Sequence, residues 1–321
     1  MASYGKVDAF SLQNGYLANI VTENLRTVDQ FTFGGLIPWI DLGTQSQYLQ
    51  DQVSSYGSTA PTGLAASADI TYSNAIVSKT AVVLKNIAVG AQMPVQFMND
   101  PKQLAIQIAK KAYVLGRTLA TTLATTGAAS DTNFAGIGSQ SGTTPDTYTL
   151  TGGTIGGSTS GGISVAQIRK LITNVSSVPN NQKVLVMPSR TYVSLLSAIE
   201  ALTWSIQTTD IGLGSPVPLF DGIVPILIND FMPITLAEAG GGASCSRVFC
   251  LGLNPDVGFT GIFASGGDAF ANQDLNAWGG AIRYRLVDDA DSTQVNLQLW
   301  ANINFMFQEP TAFSQIVGLT N

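Results

Sequence analysis

The clearest pattern in the chain lies near its end. In VNLQLWANINFMF, positions 295, 297, 299, 301, 303, 305 and 307 are Val, Leu, Leu, Ala, Ile, Phe and Phe. Asn296, Gln298, Trp300, Asn302, Asn304 and Met306 fall between them. This alternation predicts one long strand with one buried face. RYRLVDD just before it reads as an antiparallel partner, with DADST as the turn. Over residues 99–127 the period changes. Leu104, Ile108, Ala112, Leu115, Leu119 and Leu123 recur at spacings of four and three, the stripe of a helix. Asp100 suits the N-cap, Pro101 the first turn, and Gly127 a stop just past the end. A helix over 101–126 would be about 39 Å long.

Shorter patterns fill the rest. Ser164 and Gln167 form a capping-box pair ahead of the face Val165, Ile168, Ile172 and Val175. KVLVMP predicts a buried strand, and Ser189 is placed to cap a second helix, RTYVSLLSAIEAL. IVPILIND and RVFCLGL predict further buried strands. Upstream, ITYSNAIV and KTAVVLKNIAV are β-branched runs downstream of the turn-rich YGSTAPTG. Read as one strand, KTAVVLK puts Lys79 and Lys85 on one face, about 20 Å apart, too far to share a small-molecule site. Val21–Val28 allows a helix that GGLIPWI breaks. Residues 127–163 hold ten glycines and thirteen Ser/Thr, the composition of a surface loop or loose β-excursion. A phosphate loop is excluded there, because no lysine lies between Arg117 and Arg169.

Charge changes the picture. Only 11% of the 321 residues are charged, against 45% apolar. An average globular chain carries about 25% charged residues. The chain as a whole is at −6, yet the long helix holds Lys102, Lys110, Lys111 and Arg117 and no acid, so the remainder is at −10. Sparse charge and a positive mean hydropathy point to surface buried between subunits. The chain contains no histidine, which removes Ser-His-Asp and Cys-His catalysis and nearly all catalytic zinc sites. Cys245 and Cys250 read as core thiols rather than a disulfide framework, and Asp288, Asp289 and Asp291 as a solvated turn without the glycine and distal glutamate of a calcium loop. No apolar run reaches the roughly 18–20 residues of a spanning helix. The start, MASYGKVDAF, is not a signal peptide, so synthesis in the cytosol is the expectation. No enzymatic constellation and no cofactor are expected.

The order arm, β-excursion, long helix, α/β unit, C-terminal strands resembles the major capsid protein of tailed double-stranded DNA phages, the Hong Kong 97-type fold. Four stretches carry the resemblance. KTAVVLKNIAVGAQMPVQFMNDPKQLAIQIAKKA resembles the passage from E-loop into spine helix. KVLVMPSRTYVSLLSAI resembles a strand and helix of the A-domain. LFDGIVPILINDFMP with RVFCLGL resembles its core strands. VNLQLWANINFMFQEPTAFSQIVGL resembles the closing P-domain strand and terminal segment.

The resemblance implies an α+β shell subunit with an arm at 1–45, an E-loop at 46–98, an A-domain at 164–280, and a P-domain from 99–163 and 281–321. It implies a structural role: hexamers and pentamers closing an icosahedral shell around packaged DNA, in a virion assembled in the host cytoplasm. The implied partners are other copies, a separate scaffolding protein, a portal and a cement protein. The spine helix begins only at Pro101, so no scaffolding segment of about a hundred residues is expected ahead of it. Lys102, Lys110, Lys111 and Arg117 would face DNA, or form a solvated face. Lys79 and Lys85 would make contacts between subunits. Some relatives crosslink such a lysine to an asparagine, for which Asn302 and Asn304 are nominal acceptors; a strand lysine more often guards an edge or forms an ion pair. Two other functions remain open: an encapsulin-type compartment, and a secreted β-rich adhesin or surface-layer protein.

Overall fold

The computed structural model describes residues 20–21, 23–25, 36–55, 76–94, 100–125, 130, 133–139, 146–149, 162–202, 206–210, 216–238, 242–264, 275–277, 282–288 and 294–320. In chain order, strands β1 (Trp39–Asp41), β2 (Gln47–Ser55), β3 (Ile76–Val83) and β4 (Lys85–Pro94) precede the long helix α1 (Pro101–Ala124). Then come β5 (Asp146–Thr149), α2 (Val165–Asn174), β6 (Lys183–Met187), α3 (Ser189–Glu200), β7 (Gln207–Asp210), β8 (Pro216–Phe220), β9 (Val224–Ile228) and β10 (Leu236–Glu238). The chain closes with β11 (Gly242–Gly252), β12 (Phe259–Phe263), β13 (Leu275–Ala277), β14 (Ile282–Asp288), β15 (Gln294–Phe307) and β16 (Phe313–Thr320).

The alternating stretch forms β15, the longest strand among the described residues. Its odd positions from Val295 to Phe307 are all buried. The opposite face is open at Gln298 but closes at Asn304 and Met306, where Met306 packs with Leu84, Ile262 and Ala264. β14 and β4 both pair antiparallel along Val295–Ala301 and therefore lie on opposite edges of β15. β12 pairs with its last five residues, and β1 adds in parallel to β12. The Asp288↔Val295 register makes β14 the expected antiparallel partner; Asp289 and Asp291 lie outside the described residues.

Helix α1 lies on the buried face of this sheet. All six stripe residues, Leu104 to Leu123, are buried in one cluster with Leu297, Leu299, Ala301, Ile303 and Phe305. Phe305 is central: its ring centroid lies 5.1 Å from Phe134, 5.2 Å from Trp39 and 5.7 Å from Phe259. The Asp100 carboxylate accepts from the N–H groups of Lys102 (3.0 Å) and Gln103 (3.4 Å), as expected of the cap. The far end differs from expectation. The helix stops at Ala124, with Thr125 extended at ψ 176°. Thr125 closes the last turn: its N–H and its hydroxyl both donate to the Thr122 carbonyl, at 3.4 and 2.8 Å. Gly127 lies outside the described residues.

The second sheet runs β5-β16-β11-β6-β9-β8-β7, with β10 beside β11. One face packs on α2 and α3 through Leu185, Met187, Ile226, Val248, Cys250 and Ile316. From the other, Val184, Val186, Leu227, Phe249 and Leu251 join the cluster around α1 and β15. The capping box of α2 is present: Ser164 N–H donates to Gln167 Oε1 at 2.7 Å, and Gln167 N–H to Ser164 Oγ at 3.3 Å. Ser189 does not cap α3. It is the first helical residue, and Pro188 holds the cap position without a side-chain bond. The two sheets also cross the expected segment limits. β12 joins the first sheet, whereas β16 leaves β15 through a 3-10 turn at Pro310–Ala312 and inserts between β5 and β11 of the second. Within 127–163, Asp146–Thr149 is an edge strand parallel to β16.

Candidate functional site

The expectation that KTAVVLKNIAV is one strand fails at Leu84. Its N–H donates to Ser46 O at 3.0 Å, and its side chain is buried with Ile262, Ala264 and Met306. Leu84 thereby separates β3, which pairs with β2, from β4, which pairs with β15. Lys79 and Lys85 consequently stand in different sheets, and the shared face expected for them does not exist. The backbone of Lys79 pairs with that of Asp51. Lys85 is half-buried opposite Ile303. Asn302 and Asn304 alternate with Ile303 and so take the other face from Lys85. Asn304 is already engaged: its Nδ2 donates to Val83 O at 2.7 Å. The expected excursion over 46–98 therefore divides, with 47–55 and 76–83 in a ribbon of two strands and 85–94 in the first sheet.

That ribbon is the first candidate surface. At its base Tyr48 and Val82 pack on the Leu84 cluster. Leu49 and Val83, on the opposite face, are 57% and 47% exposed. Among the described residues no third strand pairs with this ribbon, and a two-stranded ribbon by itself is marginal in water.

The second surface is the outer side of α1. Lys102, Lys110 and Arg117 are exposed on one side, and Lys111, about 100° further round from Lys110, is half-buried at the margin. Among the described residues none of these four cations makes an ion pair or side-chain hydrogen bond. Sequence reading missed their company: Ile106 (46%), Tyr113 (44%) and Val114 (45%) are exposed between them. The signal was available, since all three are large apolar residues lying off the buried stripe.

The two cysteines and Lys183 lie in the core. Cys245 and Cys250 are buried thiols on β11 that form no disulfide, and burial pushes Cys250 up to about 12. Lys183 is buried nearby. Its Nζ donates to Ile172 O at 2.9 Å, in the last turn of α2, and to Asn180 Oδ1 at 2.8 Å, while desolvation lowers its pKa against the raising influence of Cys250. Among the described residues no cluster of His, Cys, Asp or Glu could hold a metal ion, and no helix is long and apolar enough to cross a membrane.

No protein-family model matches the sequence, and no curated protein matches it. Solved structures do. The SrpI encapsulin of Synechococcus elongatus PCC 7942 superposes with a TM-score of 0.65 at 12% identity, covering 92% of this chain and 89% of its own. The cyanophage A-1(L) capsid gives a TM-score of 0.61 at 12% identity, with 92% and 94% covered. The capsid of the native GTA particle gives 0.60 at 12% identity, with 92% and 91% covered. The chain has the α+β Hong Kong 97-type capsid-shell fold.

Proposed function

We propose that this chain is the major capsid protein of a tailed double-stranded DNA phage. Copies assemble into hexamers and pentamers and close an icosahedral shell around packaged DNA. The observation that carries the reading is the β2–β3 ribbon, which pairs with no third strand among the described residues and exposes Leu49 and Val83. Burying such a ribbon on a neighbouring copy supplies the cover it lacks, and repeated around a ring this builds a continuous layer. Sparse charge over the whole chain supports the same reading. A separate scaffolding protein, a portal and a cement protein complete the assembly, in the host cytoplasm, and the role is mechanical rather than catalytic.

An encapsulin-type compartment is the second reading, favoured by the superposition on the SrpI encapsulin. Negative-stain electron microscopy of the chain, expressed alone and with neighbouring genes, tests the shell. Closed particles or rings are expected, and a monodisperse monomer in every condition refutes it. Nuclease-protected DNA in particles made in the native host separates the readings; a protein cargo without DNA selects the compartment.

A further inference from the structure

The outer side of α1 has the spacing of a seam. Ile106, Lys110, Tyr113 and Arg117 follow one another at intervals of four, three and four, with Val114 beside them. That is the interval at which a helix presents one line of side chains to a second helix. Ile106 to Arg117 spans about 16 Å, or three turns. The line alternates in character, apolar then cationic, and every member is exposed.

Two features decide what fits it. The helix carries no acid and its cations have no ion pairs among the described residues, so the surface favours an anionic partner. A DNA backbone would satisfy Lys102, Lys110 and Arg117, but offers nothing to Ile106, Tyr113 and Val114. Three phosphate contacts also supply little affinity at physiological salt. A helix with carboxylates on either side of an apolar stripe satisfies both sets at once: the carboxylates meet Lys110 and Arg117, and the stripe covers the three apolar groups.

We propose that the outer face of α1 docks an acidic amphipathic helix of a second protein. This rests on the shell reading and names the chemistry of one of its partners. The face is built from surface positions, so its substitution leaves the buried stripe intact.

The test uses the full chain and a designed 21-residue peptide with a leucine stripe flanked by glutamates. A peptide of the same composition in scrambled order and a 20-base-pair DNA duplex serve as controls. Fluorescence anisotropy is expected to show binding of the amphipathic peptide. Binding should weaken by about tenfold or more, equivalent to about 1.4 kcal/mol, for the scrambled order, for Lys110→Glu with Arg117→Glu, and for Ile106→Ser with Val114→Ser. The apolar pair is the discriminating variant. Retained binding in that pair, equal binding of the scrambled peptide, displacement by the duplex, or no binding would each overturn the proposal. Micrographs of the same samples keep the two readings apart. Particles without peptide binding refute only this proposal, and absence of particles refutes the shell. If the charge variant abolishes particle formation with no peptide present, the face is a contact between copies and the proposal fails.

Discussion

Trp39 lies across Gly261. The two are direct partners in the parallel pairing of β1 with β12, and a β-carbon at Gly261 would sit 2.5 Å from Cε3 of the indole. The same ring meets Phe305 edge-on at 5.2 Å and Phe263 at 6.2 Å. The glycine is what lets a large ring close the edge of the first sheet. Gly261→Ala should force the indole outward at a cost of about 1–3 kcal/mol. Chemical denaturation followed by tryptophan fluorescence checks this; an unchanged midpoint would mean that the ring has room to move.

Cys250 should be silent in the folded protein. Burial raises its thiol from 9.0 to about 12. Iodoacetamide at pH 8 should label neither Cys250 nor the buried Cys245 until the chain is unfolded, when both react. The sign with pH follows from the direction of the shift. Above pH 9 the unfolded thiol loses its proton while the folded one keeps it. The unfolded state then binds fewer protons, and stability falls as pH rises toward 12. Cys250→Ala should show a shallower fall over that window, measured by urea unfolding at each pH.

The turn between β8 and β9 tests backbone geometry. Asp221 and Gly222 have φ of +49° and +72°, and Ile223 N–H donates to Phe220 O at 3.1 Å, as in a tight hairpin whose central residues are both left-handed. Arg169 reaches the Asp221 carboxylate at 2.9 Å. Asp221→Val should destabilise the protein more than Asp221→Gly, although both remove the ion pair, because a β-branched residue resists positive φ. Thermal unfolding of the two variants gives the comparison; equal losses would assign the effect to the ion pair.

Asn304 ties β15 to the root of the β2–β3 ribbon through its 2.7 Å bond to Val83 O. Asn304→Ala should cost about 1 kcal/mol and loosen the ribbon before the rest of the fold. Limited proteolysis should then cleave within residues 47–83 sooner than in the parent chain. Faster cleavage spread evenly over the chain would show instead that Asn304 supports the whole sheet.

Much of this architecture was legible in the residues because local patterns coincide with what tertiary contacts demand. The α1 stripe, the Asp100 cap, the capping box at Ser164 and Gln167, and the alternation of β15 each follow from a period or spacing that burial repeats. The errors fall where neighbours distant in sequence decide. No local signal divides Lys79 from Lys85; the division arises because Leu84 is drawn into a cluster with Ile262 and Met306. Nothing local sends β16 into the second sheet after β15 has completed the first.

The sequence alone determined the periods, the caps and the scarcity of charge, since these depend on residue type and spacing. Tertiary structure decided which side of α1 remains open, and so that Ile106, Tyr113 and Val114 stand exposed among Lys102, Lys110 and Arg117. Periodicity orients a helix toward a core, but only the packed sheet shows how much of its circumference that core covers.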